Sequence, residues 1–411
     1  MNGRLINDVV AAIDRDKGEM LDLLARLIKI PSFKGQEADI ARFLGNYFGQ
    51  RGYEVEIQEV APGRLQTIST LKGSGGGKSL MFNGHIDMDP LADGWAYDPW
   101  TPRIAGDRMY GAGSFNMKGG IAAMVFAAEQ LRKSNAPLRG DVVVACVAGE
   151  LSGGDGTVHM LDRGIKTDMA VVAECFGTES IATVHVGVLH MAVHTLGTTK
   201  HIRYPEGSVD AIEKMQKVIG ALSSINMTYE PRDDLPGMPV FHVGGVVGGL
   251  GREYNLADPY YISDFCTAVI NVHFVHGQTP ESIANDVRQA LAPLVAEDPE
   301  LKYEIEIPVP KAIPGSRQRI MEPFDLPKDE CIVGVVSRAH ELVTGSPPAS
   351  IGAVLPLSYS ANDTIHLWNA GIPCVIYGPT GGENEPDAYV LISQMTQCAK
   401  VLALSALDVC S

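Results

Sequence analysis

Apolar residues recur at helical spacing from the start of the chain. Leu5, Val9, Ile13, Leu21, Leu24, Leu27 and Ile28 share one face, which predicts a helix over 4–31, stopped by the proline of "IPSF". A second helix is expected at 36–51. The period then drops to two. "YEVEIQEV" and "RLQTISTL" read as paired strands, followed by the flexible loop "KGSGGGK". "SLMFNGHID", "DVVVACVAGE" and "DMAVVAE" are unbroken apolar runs, the mark of strands buried on both faces, and each closes on an acid. Between the first two lies a helix, "NMKGGIAAMVFAAEQLRKS". Such alternation predicts an α/β sheet with helices on both faces. Sheets of this kind bind ligands beyond the carboxyl ends of their strands, where His85, Asp87, Glu150 and Glu174 all fall.

From residue 188 the style changes. "LHMAVHTL", the helix "EGSVDAIEKMQKVIGALSS", the strands "PVFHVGGVVGG" and "CTAVINVHFV", the helix "TPESIANDVRQALAPLVA" and the strand "LKYEIEIPV" follow one another. That order, β-α-β-β-α-β, is ferredoxin-like. After 308 the α/β style returns: a helix over 327–344, a loop containing "SYSANDT", the strand "IPCVIYGP" and a closing helix from 388. The expected architecture is an α/β domain built from 1–187 and 309–411, interrupted by an inserted α+β domain at 188–308.

Composition narrows the function. A chain of 411 residues is long for one core, which agrees with two domains. A net charge of −16 argues against nucleic acid or an anionic membrane as partner, since phosphate binding needs surplus Lys and Arg. The start of the chain shows no uncharged apolar signal region, and no apolar run reaches membrane-spanning length. The seven cysteines are scattered without a CxxC pair, which fits reduced, buried thiols in a cytoplasmic protein. No GK[ST] follows any glycine run, so the glycines of "GGDGT" and "YGPTGG" are expected to serve turns of positive φ.

"GHID", "WAYDPWTP", "YGAGSFNMKGG", "GELSGGDGT", "AECFG", "GTTKHIRYPEGSVDAI" and "GIPCVIYGP" occur in an order that is familiar. The chain resembles the co-catalytic zinc family of aminoacylases, acetylornithine deacetylases, succinyl-diaminopimelate desuccinylases and related carboxypeptidases. The resemblance spans essentially the whole chain. It implies a zinc-exopeptidase-like α/β fold, a mixed sheet sandwiched by helices, with the inserted ferredoxin-like domain serving as lid and dimerisation element. It implies that His85 and Glu174 match ligands of the first zinc, that Asp87 orients His85, and that Glu150 matches the general base. His201 matches a histidine of the inserted domain that stabilises the oxyanion. Asn255 resembles a substrate-contacting asparagine, and Asp363 the Asp of an S-D-A run, where a turn role is equally open. Three family ligand positions depart: the bridging aspartate is Asn116, the second Glu of a Glu-Glu pair is Leu151, and the C-terminal histidine is Asn384, with Ala388 following where the family has Glu. His273 occupies the place of a carboxylate-binding arginine, and Arg252 stands close to Asn255 as a substitute.

Zinc requires about four ligands drawn from His, Cys and carboxylate. Asn offers one weak neutral oxygen and Leu none. The expectation is therefore no cofactor, or at most one divalent metal such as Zn on His85 and Glu174, and no di-zinc centre. The function expected is hydrolase-like, on an amide-type C–N bond of a small polar amino-acid-derived substrate. Glu150, His201 and Asp87 are the catalytic candidates; Asn116, Arg252, Asn255, His273 and Asn384 are the substrate-binding candidates. The expected partners are a small molecule and a second copy of the chain. Two alternatives stay open: a metal-independent lyase, isomerase or amide-forming enzyme on the same scaffold, or a non-catalytic pseudo-hydrolase that binds a metabolite.

Overall fold

A computed structural model describes residues 3–256, 259–313, 317–382 and 386–411. The chain divides into two units. Met1–His185, Phe324–Ser358 and Asn362–Ser411 form the first; Val186–Pro323 and Tyr359–Ala361 form the second.

The first unit is built on a mixed sheet. Its centre consists of Val142–Val147, Leu80–His85, Met169–Val172 and Cys374–Gly378, parallel neighbours in that order. Every residue of these four strands is buried, as their unbroken apolar runs require. Arg64–Leu71 and Glu54–Ala61 extend one side antiparallel; Gly177–His185 and Phe324–Asp325 extend the other. The register sets His85 opposite Val147 and Asn83 opposite Val172. Three parallel chains thus leave the sheet at one end, which brings the residues after each strand together.

The helices Gly3–Ile28, Gly119–Lys133 and Ile392–Cys410 pack against one another. The last two are buried along most of their length. Gly120 is required for this: a Cβ there would lie 2.1 Å from the Ala173 carbonyl oxygen. The helix can therefore start directly against the strand end that leads into Glu174. The closing helix begins at Ile392 rather than at 388, because Tyr389–Leu391 pairs as a strand with Arg108–Tyr110 in a small separate sheet.

The second unit is a four-stranded antiparallel sheet, ordered Val240–Gly249, Phe265–Phe274, Gly187–Leu196, Lys302–Glu306. Ala211–Leu222 and Pro280–Glu297 are its two helices, and Val218 and Leu291 share one core with Met191, Val193 and Ile270. Both helices start on strong caps: Asp210 accepts from Ile212 N and Glu213 N, and Thr279 and Ser282 form a reciprocal capping box. The unit continues past 308 to Pro323, where Val188 and Met321 exchange backbone hydrogen bonds of 2.8 and 3.1 Å. All seven cysteines are free thiols, and only Cys331 is exposed. Among the described residues no helix is long and apolar enough to cross a membrane.

Candidate active site

At the carboxyl end of the first unit's sheet the strand Leu80–His85 delivers an imidazole that is 1% exposed. His85 Nδ1 lies 2.8 Å from the Asp87 carbonyl oxygen; Nε2 lies 2.9 Å from Asn116 Oδ1 and 3.5 Å from Glu174 Oε1. Both ring nitrogens thus face oxygen. Burial opposes a charge on the ring, but Glu174 and Asp87 outweigh it and raise the His85 pKa well above its ordinary value. Asn116 does not sit in a helix as its sequence run suggests. Its backbone is extended, at φ −119° and ψ 102°, inside the wide turn Ser114–Lys118, and the helix starts only at Gly119. That break turns the Asn116 amide toward His85.

Asp87 touches more than His85. Its carboxylate is 3.6 Å from His85 Nδ1, which instead faces the Asp87 backbone carbonyl. The carboxylate accepts from three successive backbone N–H groups: Gly149 at 2.8 Å, Glu150 at 3.3 Å and Leu151 at 3.1 Å. Asp87 therefore anchors the turn that presents Glu150. Its pKa lies below the usual value despite burial, because His85 and these N–H groups favour the anion. Gly149, at φ 83°, lies against Arg64, and a Cβ there would lie 2.6 Å from a guanidinium nitrogen. Arg64 in turn pairs with Glu37 at 2.6 Å and Asp155 at 3.3 Å, bracing the turn from behind.

Glu150 is 4% exposed and Glu174 5% exposed. Burial pushes the Glu174 carboxyl up to about 7, with His85 pulling the other way. A further carboxyl belongs here. Asp363, 1% exposed, is raised well above its ordinary value by burial and by Glu150. The sequence offered Asp363 as a turn former or a family match; it stands at the N-cap position of the helix Thr364–Asn369, and its burial is not legible in "SANDT". The turn glycines divide. Gly153 and Gly154 have φ of 101° and 84° as expected. Gly378 does not have positive φ and serves a close approach instead: a Cβ there would lie 2.2 Å from the Glu174 carbonyl oxygen. Beside the polar cluster, Phe115, Cys175 and Ala388 form an apolar group with Trp95 and Leu357.

The other candidates lie in the second unit. His201 Nδ1 accepts from Arg203 N at 3.0 Å, and its ring stacks on Tyr260 with centroids 6.1 Å apart. Arg252 pairs with Glu304 at 2.7 Å and lies over the Phe265 ring. Asn255 is exposed and exchanges backbone hydrogen bonds with Leu250. His273 Nδ1 donates to the Tyr359 carbonyl, Asn271 Nδ2 donates to its Nε2, and burial lowers its pKa. These side chains are set within their own unit, whereas His85, Asp87, Asn116, Glu150 and Glu174 form one cluster in the first. Asn384 lies outside the described residues.

Residues 81–408 match the family model described as Peptidase family M20/M25/M40. The chain belongs to this family. Members are amidohydrolase- or peptidase-like enzymes, and so is this chain. An N-formyl-4-amino-5-aminomethyl-2-methylpyrimidine deformylase of Bacillus subtilis is 26% identical, over 97% of this chain and 96% of its own length. An acetylornithine deacetylase of Pectobacterium atrosepticum is 27% identical, over 77% of this chain and 81% of its own length. The fold is shared with an M20 family metallo-carboxypeptidase from Sulfolobus solfataricus, at TM-score 0.73 and 16% identity over 95% of this chain and 98% of that one. It is also shared with a dinuclear metal-binding M20 peptidase of Bacillus subtilis, at TM-score 0.64 and 15% identity over 96% and 98%.

Membership corrects the cofactor expectation. No cofactor, or one zinc at most, is the wrong starting point for a chain of the M20 family, whose members are typically dinuclear zinc or metal-dependent enzymes. The side chains on hand fit such a centre poorly. His85 Nε2, the natural donor, already lies at hydrogen-bond distance from the neutral Asn116 amide, and Leu151 has no donor atom. Among the described residues no group of three or more His, Cys, Asp or Glu is arranged to hold a metal ion. The family's metal dependence and the donor set disagree at these positions.

Proposed function

We propose that this M20 enzyme hydrolyses the amide bond of a small N-acyl or N-formyl compound, with Glu150 as general base. The observation that carries the proposal is the turn at 149–151. Three N–H groups bound to one buried carboxylate fix the backbone of Glu150, so its side chain is delivered to the polar cluster by a rigid support. The deformylase and deacetylase names of the relatives support the amide class. Glu150 takes a proton from water as the water oxygen bonds to the carbonyl carbon, and returns it to the leaving nitrogen as the C–N bond breaks. His85, Asn116 and Glu174 supply polar contacts for the substrate head.

We assign oxyanion stabilisation to His201. Its Nδ1 accepts a backbone N–H, so in the neutral ring the proton sits on Nε2 and is available for donation. Asn255 remains a proposed substrate contact. Arg252 is a weaker proposal, because Glu304 already holds its guanidinium. Self-association through the second unit is proposed on its edge strand Val240–Gly249, where Val240 and Val246 are exposed.

Amine release from N-formylbenzylamine and N-acetylornithine tests the reading. The wild type should release amine, and Glu150→Gln should lower kcat by about a thousandfold. Equal turnover by the variant removes Glu150 from the role.

A further inference from the structure

The second unit holds a line of polar side chains to which the steps above give no task. It starts in the loop that carries Arg252 and Asn255. Leu250 and Asn255 close this loop with backbone hydrogen bonds of 3.1 and 3.0 Å, and Gly251 N donates to Asp264 Oδ1 at 2.8 Å. The strand Val240–Gly249 meets the loop at Gly249, where a Cβ would lie 2.8 Å from the Tyr254 carbonyl carbon. Tyr254, the residue before Asn255, has φ 52°. A bulky side chain adopts that left-handed backbone only where its surroundings impose it.

The Tyr254 hydroxyl supplies the constraint. It lies 2.8 Å from Thr267 Oγ1, which lies 2.7 Å from His194 Nδ1; His194 Nε2 lies 3.3 Å from Glu306 Oε2. Thr267 and His194 are register partners on neighbouring strands, and both are buried. Cys266, Ala268 and Val193 point into the apolar core, so Thr267 and His194 face away from it, and core packing does not call for their polar atoms. Proton counting gives the line a direction. The Glu306 carboxylate only accepts, so a neutral His194 ring carries its hydrogen on Nε2 and accepts at Nδ1. Burial, helped by Arg252 and opposed by Glu306 and Glu304, lowers the His194 pKa and keeps the ring neutral. The single Thr267 hydroxyl hydrogen goes to Nδ1, so Thr267 Oγ1 accepts from Tyr254. Phe265 fills the space beside the line: the His194 ring stacks on it and the Tyr254 ring lies 5.7 Å from it.

We propose that Thr267 and His194 are positioning residues for substrate binding: backed by Glu306, they hold Tyr254 by its hydroxyl and so fix Asn255 where it contacts substrate. The proposal rests on Asn255 being a substrate contact, as assigned above. The line acts on binding rather than on the bond that breaks, so its loss should appear in KM.

Thr267→Ser keeps the hydroxyl, whereas Thr267→Val keeps the shape and loses it. Hydrogen exchange at the Leu250 and Asn255 amides should quicken about tenfold in Thr267→Val and stay at the wild-type rate in Thr267→Ser. KM for the amide that wild type hydrolyses should rise about tenfold in Thr267→Val with kcat within about twofold, and Thr267→Ser should restore KM. His194→Ala should follow the valine variant. Unchanged exchange in Thr267→Val overturns the proposal, as does faster exchange with wild-type KM or equal impairment of the serine and valine variants. Should the valine variant not fold, Tyr254→Phe removes only the outer hydroxyl and is held to the same outcomes. If wild type hydrolyses neither amide, the functional reading fails, and the exchange comparison alone decides whether the line holds the loop.

Discussion

In the first unit His85, Asp87, Glu150 and Glu174 are each 5% exposed or less, whereas in the second the Arg252 side chain is 58% exposed and Asn255 stands at the surface. The difference is one of support. The buried cluster is held by partners on several elements: His85 between Asp87 and Asn116, Asp87 on three N–H groups, the Glu150 turn on Asp87 and Arg64. The candidates of the second unit are held less uniformly: Arg252 by an exposed ion pair and a ring contact, His201 by one backbone N–H and stacked rings, His273 by two hydrogen bonds. A buried, cross-braced cluster is pre-organised and loses stability when one brace is removed. A surface group is weakly held and can be removed at small structural cost.

Arg64→Ala breaks the comparison hardest. Glu37 is fully buried and would lose its cation, so unfolding free energy should fall by about 3–5 kcal/mol, read from urea denaturation. A loss below about 1 kcal/mol would show that the turn does not depend on its brace. His201→Ala tests the other side. It should lower kcat about a hundredfold by removing an oxyanion donor, yet shift stability by less than about 0.5 kcal/mol. A large loss of stability with unchanged kcat would reverse its assignment.

His273 sharpens the contrast through pH. Burial lowers its folded pKa below the ordinary value, and its Nε2 accepts from Asn271. The unfolded chain therefore binds the extra proton. The contribution of His273 is complete above its unfolded pKa of about 6.5 and is lost as pH falls below that value toward the folded pKa. Urea midpoints between about pH 7 and about pH 5 should fall less steeply in His273→Gln. Equal slopes would remove His273 as a source of the pH dependence. The smallest effect belongs to Arg252→Ala, within about 0.5 kcal/mol in stability, since its ion pair is exposed to solvent. A several-fold rise in KM for N-acetylornithine with unchanged kcat would restore it as a carboxylate binder.

Much of the fold was legible because burial on both faces demands unbroken apolar runs. "SLMFNGHID" and "DVVVACVAGE" announced central strands, and their closing residues announced the site. The hidden features depend on neighbours distant in sequence. Asn116 reads as part of a helix because the residues after it are strong helix formers, but the chain breaks at Ser114–Lys118 to bring its amide to His85. That Asp87 also holds the Glu150 turn is not legible, because the backbone N–H groups it binds lie more than sixty positions away.

The sequence by itself determined the long helices, the central buried strands and the acids and imidazoles at their ends, because period and composition are local and the hydrophobic effect acts on them directly. It also showed that Asn116, Leu151 and Asn384 stand where resemblance calls for metal ligands. Only the tertiary structure decided what the Asn116 amide faces. Parallel register set three strand ends side by side, and packing placed Asp87 beneath the Glu150 turn and Asp363 above it. Hydrogen-bond partners and desolvation arise from groups brought together in space, and no pattern along a single stretch of chain encodes them.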